Sequence, residues 1–217
     1  RGGKMNKYVY RRISAFLIDV FLVTFVSTVF SSISYVNPFI ENYKVAYDEY
    51  REIYKSESES VLTNPTIKNV VDYSNKMSKQ IYKIDYSMLF NNIYYLVFSF
   101  LYFVLFAYFT NGQTLGKKLF KLKVVRQDGE KVKLSNLMLR TLLSGSSIFM
   151  GVNIIVVIQL LLLMIPQNQA YFYAILFSSM ISYIIEIIGF ALLFSKEHRS
   201  LDDIIGSTKV IDEVKYV

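Results

Sequence analysis

Asp19 and Glu186 are acids set inside long apolar runs of the chain. A carboxylate at the centre of a membrane helix costs roughly 2.5–3.5 kcal/mol on insertion scales, so a partner cation, water or a proton must neutralise it. Those are also the states through which a proton or cation carrier cycles. Arg12 lies seven residues before Asp19, on nearly the same helix face and about 10 Å away along the axis. An arginine head can snorkel to the headgroups, whereas the short aspartate cannot. Glu186 falls about 12 Å from the end of the last apolar run, and Asp19 about 9 Å from the start of the first, at helical rise. The two acids can therefore share one depth. If they face each other, one is protonated at neutral pH, because close like charges do not both ionise cheaply.

Other polar residues accompany them: Thr24, Ser27 and Thr28 on the first run, Ser178, Ser179 and Ser182 on the last, and Asn153 and Gln159 between. They can line a polar seam. The structural alternative is interhelical glue, in which hydroxyls and buried polar pairs lock a membrane bundle. A further alternative has the acids protonated and facing lipid. Asp19 can also be met by Arg12 in a salt bridge at the membrane boundary, or by Arg140.

The elements that must position these residues are membrane spans. The chain has 217 residues, 53% of them hydrophobic, and the apolar residues come in blocks long enough to cross a bilayer as helices of about 20 residues. Four spans are expected, at about 13–34, 87–109, 141–165 and 171–194, with a tight turn over 166–169 making a hairpin of the last two. The first run is too long for a cleaved signal peptide and lacks a small-residue cleavage site. Lys and Arg number seventeen in the N-terminal segment, 111–140 and 195–217 together, against seven in the loop 35–86. That asymmetry predicts both termini in the cytoplasm of a multi-pass cell-membrane protein. It also explains the charge of +7 without nucleic acid, whose binding would need basic residues interleaved with stacking aromatics on a soluble surface.

The loop 35–86 is long enough for structure of its own. Tyr43, Tyr47, Tyr50 and Tyr54 recur at helical spacing, as do Ile67, Val70, Ser74, Met77, Ile81 and Ile84, with Asn64-Pro65 between. Two amphipathic helices in an extracytoplasmic hairpin are expected, their apolar stripes packed together or presented to a partner. The loop 111–140 alternates from Leu119 to Arg126, turns at Asp128-Gly129 and alternates again from Lys131 to Leu134. That pattern predicts a cytoplasmic β-hairpin, with Ser135 placed to cap the next helix and 207–211 as a candidate third strand. After the last span, Ser200 and Gly206 can bound a short interfacial helix.

Several chemistries are excluded. There is no cysteine and one histidine, His198, which leaves no thiolate chemistry and no histidine cluster for a metal. His198 reads as a solvated helix-end residue. The stretch Gly112 to Lys118 fails as a phosphate loop: its glycines are too close, and Lys118 stands where a hydroxyl is needed. Lys117 and Lys118 are instead placed to touch anionic lipid headgroups. Asp202 and Asp203 alone make a weak cation site. With no nucleophile–base pair, an enzyme is not expected, nor is a cofactor.

Three motifs carry a resemblance. They are Arg12-x-x-Ala15-x-x-x-Asp19; Gly112-Gln113-Thr114-Leu115-Gly116-Lys117-Lys118 with Val124-Val125-x-x-Asp128-Gly129; and Arg199-Ser200-Leu201-x-Asp203-x-x-x-Ser207-Thr208-x-Val210. In this order they resemble the RDD family of small bacterial integral membrane proteins, named for one arginine and two aspartates. The resemblance runs from about Tyr8 to Ile211 as a single domain, with 35–86 its least family-like part. It implies that Arg12, Asp19 and Asp203 are the signature residues. It also implies a membrane role for which transport, including sodium/proton exchange in some members, has been suggested.

The expected fold is thus an all-α membrane protein: a four-transmembrane-helix bundle with a small cytoplasmic β-hairpin and an extracytoplasmic helical hairpin. Two functional classes follow. One is a transporter or transporter subunit for small ions or solutes, using Asp19 and Glu186, which with so few spans would act as an oligomer. The other is a non-transporting accessory, immunity or assembly partner.

Overall fold

The computed structural model describes residues 2–143, 153–165 and 169–213, with side chains from residue 7 onward except at Gln169. Three helices are long and apolar enough to cross a membrane: Lys7–Ser31, Leu89–Phe109 and Ala170–Leu193. They belong to α1 (Gly2–Ser31), α4 (Leu89–Phe109) and α8 (Gln169–Leu193). Only 11% of the apolar window of Ala170–Leu193 is buried within the protein, so its outward faces need an apolar solvent such as lipid. Of the expected third span, the described parts are α6 (Leu134–Leu143) and the short apolar helix α7 (Asn153–Leu162). Residues 144–152 of that span, and 166–168 of the expected turn, lie outside the described residues. Among the described residues, therefore, three helices of membrane length are seen.

The chain divides into two compact units. The first comprises Arg1–Ser27, Tyr95–Val156 and Ile181–Val217. Its core joins Ala15 of α1, Val104 and Ala107 of α4, Leu137 of α6 and Val132 to a small sheet. The sheet corrects the expected hairpin. Strand β1 (Leu122–Arg126) pairs antiparallel with β2 (Thr208–Asp212), Val124 opposite Val210. The turn after β1 does form, with Gly129 at φ 92° and its N–H on the Arg126 carbonyl at 2.9 Å. The chain then leaves the sheet after one return bond, from Arg126 N–H to the Glu130 carbonyl. Val132 dives into the core and α6 starts at Leu134, so 131–134 has no length left for a strand. The segment 208–212 fills the vacant edge, with Val210 in the core cluster beside Leu122 and Val124 and Thr208 buried against Arg140 and Asp203. Ser135 lies inside α6 and does not cap it.

Helix α4 is interrupted by a π-helical turn, Leu101–Phe106. Such wide turns re-aim side chains and recur at functional sites; this one carries Tyr102. Two short helices complete the unit: α5 (Leu115–Leu119), capped by Thr114, and α9 (Leu201–Ile205), bounded by Ser200 and Gly206.

The second unit comprises Thr28–Tyr94 and Val157–Met180. Its centre is a helical hairpin, α2 (Ile40–Thr63) against α3 (Ile67–Ser87). The seam is small and polar rather than two apolar stripes: Ala46, Ser74, Met77, Ser78 and Gln80 are buried, and Gln80 donates to the Ala46 carbonyl at 2.6 Å. Tyr43, Tyr47, Tyr50 and Tyr54 stack on one another at 6.0 to 6.3 Å between rings. They stay largely at the surface, Tyr54 being 52% exposed. At the hairpin's base Tyr171 of α8 donates to Asp85 at 2.8 Å, and Tyr82 donates to the Leu163 carbonyl at 2.9 Å.

Candidate functional site

Asp19 is fully buried on α1, and its partners are neither Arg12 nor Glu186. Tyr102 of the π-helical turn donates to Oδ1 at 2.6 Å, and the Gly116 N–H donates to the same oxygen at 2.7 Å. The Thr114 hydroxyl donates to Oδ2, and Lys117 Nζ lies 3.6 Å from it. The arrangement follows from the start of α5, whose first N–H groups have no intrahelical acceptor. A carboxylate there satisfies one of them and meets the positive end of the helix dipole. Gly116 makes the approach possible, because a Cβ at this position would stand 2.2 Å from the Ala15 carbonyl oxygen and 2.8 Å from Asp19 Oδ1. Thr114 to Lys117 make this docking, and Gly112 and Gln113 tie the same stretch to the sheet. Gly112, at φ 90°, packs on the Val124 carbonyl, and Gln113 ties the Leu122 carbonyl to Glu213. Lys117, expected at the headgroups, turns inward instead. Its ammonium is disfavoured first by burial, which Asp19 only partly offsets, so its pKa is lowered.

Arg12 belongs to a second network. It pairs with Asp203 Oδ2 at 2.5 Å and donates to the His198 carbonyl. Asp203 is fully buried and completes a capping box, accepting from the Ser200 N–H at 3.1 Å. Its other oxygen takes Arg140, which also holds Asp202 at 2.7 Å and Thr208 at 3.0 Å. Burial alone would raise the Asp203 pKa. Arg140 and Arg12 outweigh it and hold the carboxyl well below the usual range. The expected Arg12–Asp19 and Arg140–Asp19 pairings are thus replaced by an Arg12–Asp203–Arg140 bridge. It ties α1, α6 and α9 together beside the sheet, and Tyr8 adds a 2.6 Å bond to the Val210 carbonyl.

Glu186 lines a cavity of about 590 Å³ within the first unit. One wall is α1 (Ile13, Phe16, Leu17) and another is α8 (Ile185, Gly189, Phe190). Arg12, Lys117, Arg140 and Asp202 lie on its polar side. Glu186 Oε1 is buried and has no hydrogen-bond partner. The expected polar seam is mostly closed on itself. Ser27 and Ser178 donate to carbonyls of their own helices at 2.9 Å, and Asn153 bridges Ser99 to the Thr141 carbonyl. Reasoning from sequence missed Tyr102, one aromatic among many on its span, and the Arg140–Asp202 pair.

Three membrane-length helices, the first of them tied by a buried arginine–aspartate pair to a short helix beside a two-stranded sheet, define a small helical membrane protein. The model of one family, the RDD family, matches residues 8–207, and the chain belongs to that family. Neither the curated proteins nor the solved structures provide a match.

Proposed function

We propose that the protein is a multi-pass cell-membrane transporter, or a transporter subunit, for small ions or solutes. In this reading Glu186 is the membrane carboxylate that exchanges its proton for cargo, and Asp19 is a structural pin. One observation carries it: Glu186 lines a cavity large enough to admit cargo, and one of its carboxylate oxygens is buried without a hydrogen-bond partner. Asp19, by contrast, has two hydroxyl donors, a backbone donor and a lysine close by, which supports the structural role. The excess of Lys and Arg around the sheet favours a cytoplasmic placement of this end and of both termini. A chain with so few spans would work as an oligomer.

The test is pH-gradient-driven flux in liposomes. Wild type should move protons in exchange for cargo, and Glu186→Gln should not, while remaining folded. No flux from folded wild type across inorganic and organic cations would remove the transporter reading. It would favour the second reading, a non-transporting membrane partner, to which the exposed tyrosine stack on α2 lends support.

A further inference from the structure

The cavity's charge balance and its chemistry say what kind of cargo it suits. Each cation on its wall already has an acid. Arg12 holds Asp203, Arg140 holds Asp202 and Asp203, and Lys117 lies against Asp19. Those three cations and three aspartates cancel. Glu186 alone remains, with no ion pair among the described residues and one oxygen buried without a partner. An ionised Glu186 therefore leaves the cavity one negative charge in excess, which selects against anions.

Inorganic cations fit poorly as well. A metal ion stripped of water needs about six oxygen ligands, and no group of three or more acidic or histidine side chains occurs among the described residues. Around Glu186 on α8 the cavity wall is Ile185, Ile187, Gly189 and Phe190, which offers no side-chain ligands. A volume of about 590 Å³ lies within the range of about 300–1,000 Å³ typical of organic ligand sites. An organic cation with apolar substituents meets these conditions: it needs no coordination shell, and its apolar body suits a wall of aliphatic side chains with the aromatic Phe16 and Phe190.

We propose that the Glu186 cavity binds a lipophilic organic cation, such as a quaternary or arylated onium ion, in competition with a proton on Glu186. The proposal rests on the transporter reading of the same site but is tested by binding alone. Gly189 keeps the space open, since a Cβ there would meet only Leu201 Cβ, at 3.8 Å. The charged groups facing Glu186 across the cavity are Arg12 from α1, Lys117 from α5, Arg140 from α6 and Asp202 from α9. All are paired, so within the cavity Glu186 is the group left to exchange a proton for the guest.

The full chain in lipid nanodiscs is titrated with tetraphenylphosphonium and with tetraphenylborate, which match in shape and differ in charge, against empty discs. Tetraphenylphosphonium should bind saturably, more weakly at acid than at alkaline pH, and release about one proton per cation bound. Glu186→Gln should weaken it about tenfold or more and abolish the pH dependence, with the detergent melting temperature maintained. Gly189→Leu, which fills the space and leaves the Glu186 carboxylate in place, should also weaken it. Equal binding of tetraphenylborate, or unchanged pH-dependent binding in Glu186→Gln, overturns the proposal. Sodium releasing the Glu186 proton while tetraphenylphosphonium does not bind also overturns it, yet leaves the transporter reading standing. Onium binding without flux does the reverse.

Discussion

Asp203 and Asp19 are both buried acids, yet their surroundings give them different consequences when neutralised. Asp203 separates two guanidinium groups, Arg12 and Arg140. Asp203→Asn leaves Arg12 without a carboxylate and Arg140 with Asp202 alone. Breaking a buried pair in this way costs about 3–5 kcal/mol, and should appear as a large loss of melting temperature in detergent. Because the Asp203 pKa is depressed, its stabilisation is present above the unfolded value and lost only as pH falls through the lower, folded one. Asp19 is held mainly by hydrogen bonds. Asp19→Asn keeps an acceptor for Tyr102 or Gly116 but loses the charge that faces Lys117 and the start of α5. Its cost should be smaller, about 1–3 kcal/mol, and onium binding should survive, which separates Asp19 from Glu186. The sequence made both acids conspicuous, and the resemblance to the RDD family marked Arg12, Asp19 and Asp203 together. Their pairing was hidden, because it depends on where α5 and α9 dock, and those five-residue helices lie far from α1 in the chain.

At the scale of elements, short helices and the sheet were the hard part to read. The alternation of 119–126 was visible, but its partner strand lies more than eighty residues away, and local periodicity cannot choose between a near and a distant mate. Close packing of α5 on α1 rests on Gly116. Gly116→Ala should force α5 off α1, lengthen or break the Gly116–Asp19 bond and expose Lys117 to faster amine modification, measured by labelling and mass spectrometry. Membrane-length helices were legible from apolar runs alone, and so was the helical hairpin from its 3.6-residue period. Its seam was not, because Ala46, Ser74, Ser78 and Gln80 carry little hydrophobic signal. At the hairpin's base Asp85 has its pKa pushed up to about 6 by burial, which outweighs the bond from Tyr171. A folded pKa above the unfolded one means the proton favours the fold. Stability is complete below the unfolded value and is lost as pH rises through about 6, a displacement equivalent to about 3 kcal/mol. Hydrogen exchange of α3 should therefore be slower at pH 5 than at pH 7.5 once corrected for intrinsic rates, and Asp85→Asn should remove the difference.

Across the whole molecule, charge and hydropathy argue for one arrangement in the bilayer. The arginine–aspartate bridge, the sheet and most of the Lys and Arg residues belong to one compact unit, and α2 and α3 belong to the other. If the positive-inside rule governs, 111–140 and 195–213 share the cytoplasmic side and the α2–α3 hairpin faces the opposite one. That outcome requires an odd number of crossings between residues 63 and 117, which α4 supplies, and an even number between 143 and 201. Helix α8 is one of the latter, so the charge rule predicts a second crossing in the stretch that includes the short apolar helix α7. A chain without cysteine makes the test direct, since every introduced thiol reports alone. Ser58→Cys, near the end of α2, should react with a membrane-impermeant maleimide in intact cells. Lys131→Cys, in the turn between β1 and α6, should react only after the membrane is opened. Labelling of both sites from outside would mean that α4 does not carry the chain across the bilayer between them, and that the arrangement charge dictates does not hold.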